Sequence, residues 1–255
     1  MRCTRRLAAA LCVLSAAPVF ADNVRGTWSS VANWPLISVH AALTPDGRVL
    51  TYGTDGNGKQ TGYFIYDVWD PAAGPGAGHL TLPNQTLTDL FCSSQLILPQ
   101  SGNIIISGGD NLVNGNTTNT GNNNSNVFSV SNNTLARGNN MNRARWYSAS
   151  TVLVNGEIYI QGGSGGTDRP EIRDANGVYR LLNGADTSAL AYMYPRNFVA
   201  PDGRVFGFDT AGRMYYVTTS GSGSVTMVGQ LPGSTSATSS AAMFRPGRIL
   251  QMGGA

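Results

Sequence analysis

Apolar and polar positions along this chain fall into one recurring hairpin grammar. It appears at Ser38 to Gly53 (SVHAALTPDGRVLTYG), Cys92 to Gly109 (CSSQLILPQSGNIIISGG), Tyr147 to Gly163 (YSASTVLVNGEIYIQGG), Tyr194 to Phe208 (YPRNFVAPDGRVFGF) and Ser239 to Gly254 (SSAAMFRPGRILQMGG). Each stretch is an apolar strand, a tight turn, a second β-rich strand and, in most, a Gly-Gly exit. Asp-Gly and Asn-Gly between alternating apolar runs favour hairpins because glycine accepts the positive φ that such turns need. The spacing, roughly 45 to 55 residues, is that of four-stranded propeller blades of the kelch kind. Further strands are expected at Tyr63 to Trp69, Val127 to Val130 and Met214 to Val217, and no segment sustains a helical period. The pattern therefore predicts an all-β, kelch-like β-propeller with roughly four to five blades present. A propeller ring closes only when its last blade meets its first, so residues 22–255 read as a partial domain truncated at the C-terminus. The Asn-rich stretch from Asn111 to Asn142 is expected to be a long surface loop around a short outer strand.

The first 21 residues read as a signal peptide. Arg2, Arg5 and Arg6 form a basic start, Leu7 to Phe20 an apolar run too short to span a bilayer comfortably, and Val19-Phe20-Ala21 a cleavage site before Asp22. The expectation is a secreted protein, extracellular or periplasmic, with no membrane span after cleavage. Three of the 17 basic residues lie in this leader, which leaves 14 against 14 acidic ones. A neutral mature chain gives no reason to expect a nucleic-acid surface. Cys3 and Cys12 also leave with the leader, so Cys92 remains as a lone cysteine in an oxidising compartment. A small buried hydrophobe is the plain reading of such a residue.

Counting back nine positions from the hairpin glycine gives an approximate blade register. From Gly156 it reaches Tyr147, from Gly203 Tyr194, and from Gly102 Ser93, next to Cys92. These residues are expected to begin the innermost strands of successive blades, around the mouth of a central channel. Cys92 and Tyr147 are then candidates to meet across adjacent blades.

The pair Phe91-Cys92, the triplet Arg145-Trp146-Tyr147 followed by Ser148-Ala149-Ser150, and the exit Gly162-Gly163-Ser164 resemble the copper radical oxidases, the family of galactose oxidase and glyoxal oxidase. The Arg-Trp-Tyr form is nearer the glyoxal-oxidase branch. The resemblance implies a seven-bladed propeller and a cofactor in which the sulfur of Cys92 is bonded to the ring of Tyr147. It implies further that Tyr147 ligates copper and holds a radical, that Trp146 shields its ring and that Tyr194 lines the channel. The reaction implied is a two-electron oxidation of a small aldehyde or primary alcohol, with O2 reduced to hydrogen peroxide.

Two features depart from the family. Its remaining copper ligands, a Tyr-His pair and a further histidine from later blades, have no counterpart here, and copper favours imidazole nitrogens. The two histidines match no family ligand: His40 is expected packed or hydrogen-bonded in the first blade, and His79 solvated in a Gly-rich loop. Gly165 stands where relatives carry an aromatic residue or histidine over the cofactor. Gly162 to Gly166 fits a nucleophile-elbow pattern, but that device needs a strand-to-helix turn and no helix is expected to follow, which argues against a serine hydrolase. A non-catalytic extracellular propeller that binds glycans or proteins, and a structural remnant with Cys92 simply buried, stand as alternatives.

Overall fold

The computed structural model describes residues 26, 28–233 and 235–253, so the leader lies outside the described residues. The chain divides into two compact units, Met1–Ala32 and Asn33–Ala255, and every described strand lies in the second. Four antiparallel four-stranded sheets succeed one another as blades of a β-propeller. Blade 1 comprises β1 (Ile37–Leu43), β2 (Val49–Thr54), β3 (Ile65–Trp69) and β4 (His79–Pro83). Blade 2 begins with β5 (Ser94–Ile97) and β6 (Ile104–Ser107). A separate hairpin of β7 (Asp110–Val113) and β8 (Asn116–Gly121) follows, and blade 2 then resumes with β9 (Ser125–Ser129) and β10 (Thr134–Arg137). Blade 3 holds β11 (Trp146–Val152), β12 (Ile158–Ser164), β13 (Glu171–Arg173) and β14 (Tyr179–Leu181). Blade 4 holds β15 (Arg196–Val199), β16 (Val205–Phe208), β17 (Arg213–Thr218) and β18 (Ser224–Gln230). A last hairpin, β19 (Ser240–Arg245) with β20 (Arg248–Met252), has the form of the inner half of a fifth blade.

The turn glycines behave as their residue type requires. Gly47, Gly156 and Gly203 donate their amides to Thr44, Leu153 and Ala200, closing the first hairpin of blades 1, 3 and 4. The core lies between blades. Leu50, Tyr52, Tyr66 and Val68 of blade 1 pack on Leu90, Ile104, Ile106 and Phe128, while Ile105 turns the other way to meet Ile158 and Ile160 of blade 3. A strand pressed on both faces explains why β6 is an unbroken run of three isoleucines. Tyr159 and Ile172 in turn pack on Val205, Tyr215 and Val217 of blade 4.

The expected Asn-rich surface loop is corrected by the structure. Residues 110–137 form four strands, two in the β7–β8 hairpin and two completing blade 2. Strand β8 is polar and exposed along nearly its whole length, so it carries no apolar alternation to betray it. The central amides supply order instead: Asn122 donates from its side chain to the carbonyls of Asp89 and Asp110, and Asn124 donates to Thr88.

Candidate functional site

The residues at the start of the innermost strands share an unusual backbone. Cys92, Tyr147 and Tyr194 have φ of 59°, 72° and 43°, a left-handed conformation that a bulky side chain adopts only when its surroundings impose it. The imposing contacts run from blade to blade. Tyr194 donates its amide to the carbonyl of Tyr147 at 2.8 Å, and Tyr147 donates its own to the carbonyl of Cys92 at 2.9 Å. Cys92 has no such carbonyl in blade 1. Its amide goes to Nε2 of His40, at 3.0 Å.

This belt brings the expected residues together. The Cys92 thiol is buried beside the side chains of Tyr147 and Tyr194. Burial pushes the thiol up, with the two phenols beside it partly offsetting that shift. Burial first, and then proximity to Cys92, pushes Tyr147 up to about 12 and Tyr194 higher still. Thiol and phenols are therefore neutral near pH 7, as a close cluster of acids in a poorly solvated place must be. The rings of Tyr147 and Tyr194 meet edge to face at 5.4 Å between centroids. Trp146 also packs against Tyr147, its ring centroid 4.1 Å away and tilted by 34°, with its indole Nε1 buried and unpartnered.

The anchor of this arrangement is Arg145. Its side chain is fully buried against Glu171, which is also fully buried. It donates from Nε to Glu171 at 2.9 Å, from Nη1 to the carbonyls of Gly162 and Gly166 at 2.7 and 3.0 Å, and from Nη2 to Arg169 at 2.8 Å. Gly163 follows from the same crowding. It has φ +86°, and a Cβ there would sit 2.9 Å from Cα of Arg145. Gly165, at φ +93°, has no room for a side chain without displacing Ala144, whose carbonyl would lie 2.9 Å from a Cβ. An aromatic cover at that position is thus sterically barred, and Trp146 is the ring that covers Tyr147.

Sequence reasoning gave no role to four participants. Ser94 and Ser150 join their hydroxyls at 2.6 Å across the β5–β11 seam, facing an open cleft of about 450 Å³ lined also by His40, Ser93 and Tyr194. Asp89 caps the amide of Phe91 and turns the chain into Cys92, and burial raises its carboxyl to about 6. Asp110 receives the amides of Asn111 and Thr120 beside it. The expectation for His79 is overturned. It lies on β4 with its side chain 12% exposed, 2.7 Å from the fully buried Asp67, and edge-on to Trp34.

As a copper site this set is incomplete. Phenol oxygens are available, but no group of three or more His, Cys, Asp or Glu side chains that could hold a metal exists among the described residues. His40 spends its Nε2 on Cys92, and His79 its Nδ1 on Asp67. Copper favours imidazole nitrogens, and of these Nε2 of His79 is left without a partner but is buried, beside Asp67 and Trp34.

Comparison with known proteins places the chain near copper oxidases in sequence and fold. No family model matches the chain. Two curated sequences named galactose oxidase, from Gibberella zeae, are each 26% identical over 241 residues, covering 80% of this chain and 31% of the relative. The chain resembles galactose oxidase. A solved structure of a fungal alcohol oxidase of the AA5 family, in complex with copper, superposes with a TM-score of 0.73 at 22% identity, covering 90% of this chain and 50% of that one. That likeness establishes the propeller fold. The chain spans about a third of the length of its galactose oxidase relatives. No helix among the described residues is long and apolar enough to cross a membrane.

Proposed function

We propose that this chain carries the cross-linked cysteine–tyrosine half of the active site of an exported copper radical oxidase, acting on small primary alcohols or aldehydes with O2. One observation carries the reading: a lone buried thiol lies beside Tyr147 across adjacent blades, with both residues held in left-handed backbone by a shared hydrogen bond. The sequence likeness to galactose oxidase supports the same assignment.

The cross-link balances as an oxidation. One S–H bond of Cys92 and one ring C–H bond of Tyr147 break, and one S–C bond forms. Two electrons and two protons pass to O2, giving hydrogen peroxide. Substrate turnover has the same stoichiometry: a primary alcohol loses two hydrogens to become an aldehyde while O2 becomes hydrogen peroxide. Copper, when bound, supplies one of the two electron equivalents and the sulfur-substituted phenol of Tyr147 the other. The chain's own residues do the rest. Trp146 covers one side of Tyr147 and excludes water, Tyr194 braces it edge-on, and the serine-lined cleft is the approach for a small polar substrate.

The test is intact mass of the full-length protein after copper loading in air, with peptide mapping. A loss of two hydrogens, on a peptide joining Cys92 to Tyr147, is the expected result. Separate, unmodified peptides and no peroxide output would leave the non-catalytic binding propeller as the better reading.

A further inference from the structure

The amide of Cys92 is the exception in the blade-to-blade belt. Tyr147 and Tyr194 each find the carbonyl of the preceding blade, whereas Cys92 is met by a side chain 52 residues earlier in sequence. That side chain is itself fixed on several sides. The ring of His40 stacks on Tyr52 at 4.7 Å and 16°, and Phe91 stands edge-on to it at 6.5 Å. Beside it, Gln95 Oε1 accepts the Tyr52 hydroxyl at 2.8 Å. For Nε2 to accept the Cys92 amide, the ring must be neutral with its proton on Nδ1. Burial keeps it neutral, with a pKa lowered to about 4.

We propose that His40 is a positioning residue for the cysteine–tyrosine cross-link: by accepting the Cys92 amide it locks residue 92 in its left-handed conformation and so holds the thiol against Tyr147. The inference rests on the oxidase reading above and adds to it a residue that acts through the backbone of Cys92. Without the acceptor, a buried N–H is left unpaired, and residue 92 gains by rotating to negative φ, which carries the thiol away from the phenol.

The experiment compares His40→Phe, which keeps a ring on Tyr52 but removes the acceptor, with His40→Gln, whose side-chain carbonyl replaces it. Each full chain is purified copper-free, checked for cooperative melting, then given copper in air while cross-link formation is followed by intact mass. His40→Phe should slow formation by about tenfold, the rate equivalent of one lost buried hydrogen bond, and His40→Gln should stay within about threefold of the unsubstituted chain. A folded His40→Phe protein that cross-links at the unsubstituted rate overturns the proposal, as does a folded His40→Gln protein no faster than His40→Phe. Should His40→Phe not fold, His40→Asn, whose shorter amide falls short of Cys92, takes its place with the same expectation. If the unsubstituted full-length protein forms no cross-link, the oxidase reading itself fails. The clamp is then read from alkylation of Cys92 in copper-free protein: about tenfold faster in His40→Phe but not in His40→Gln supports it, and equal rates refute it.

Discussion

Replacing Arg145 by methionine tests the keystone under the Trp146-Tyr147 pair. The substitution keeps an unbranched apolar stem but deletes a guanidinium that satisfies Glu171 and the carbonyls of Gly162, Gly166 and Arg169, in a site with no solvent on either partner. Breaking a buried ion pair from one side costs about 3–5 kcal/mol, because the remaining charge stays desolvated. Each orphaned carbonyl adds up to roughly 1–3 kcal/mol, though the losses are not additive because the loop from Gly162 to Arg169 can relax toward water. A net loss of about 4 kcal/mol is expected, a large fraction of the roughly 5–15 kcal/mol that a folded domain has. For a domain of this size that corresponds to a melting point lowered by roughly 8–16 °C. Denaturant titration at neutral pH measures it, and intact mass reports whether the cross-link still forms. The double variant Arg145→Met with Glu171→Leu should recover much of the loss, since a matched apolar pair needs no desolvation of charge. A single-variant loss below about 1 kcal/mol would show that the pair is not what holds blade 3 in place.

Other substitutions probe the site independently. Gly163→Ala, forced into positive φ against Arg145, should destabilise by about 2–4 kcal/mol and lower cross-link yield, read by denaturation and mass. Cys92→Ala should abolish the loss of two hydrogens while costing only about 1 kcal/mol in a denaturant titration, since it removes one buried sulfur. Two buried groups should give opposite pH slopes of stability. Asp89, raised from 3.8 to about 6 by burial and by Asp110, contributes stability below pH 4 that is lost as pH rises to 6. His40, lowered from 6.5 to about 4 by burial, contributes stability above pH 6.5 that is lost as pH falls to 4. Each effect is on the order of 3 kcal/mol, so the unsubstituted chain should be nearly flat between pH 4 and 6.5. Asp89→Asn should then lose stability toward pH 4, and His40→Gln toward pH 6; parallel profiles for the two would refute the assignment.

What could be read ahead of the structure was local or periodic. The hairpin turns were legible because positive φ at glycine is a property of two or three adjacent residues, as at Gly156. The meeting of Cys92 with Tyr147 was legible because one blade length separates them. The β7–β8 hairpin was not, since Asn and Thr exposed along nearly all of β8 leave no alternation to count. Nor was the burial of His79, which depends on Asp67 from the neighbouring strand and on Trp34. The partner of Arg145, Glu171, lies 26 residues away and is one of only two glutamates, a scarcity that marks it only once its burial is known.

The deepest gap concerned what holds the site. Three residues at matched blade positions carry unfavourable backbone, and each is held by a neighbour in the preceding blade rather than by its own. Strain of this kind costs about 1–3 kcal/mol per residue and persists only where the surroundings over-determine it. The thiol–phenol juxtaposition is therefore a property of the blade series, stored in hydrogen bonds that cross every seam from His40 to Tyr194. A change in any one blade should be felt at the next, which is why a histidine in blade 1 can set the backbone of Cys92 in blade 2.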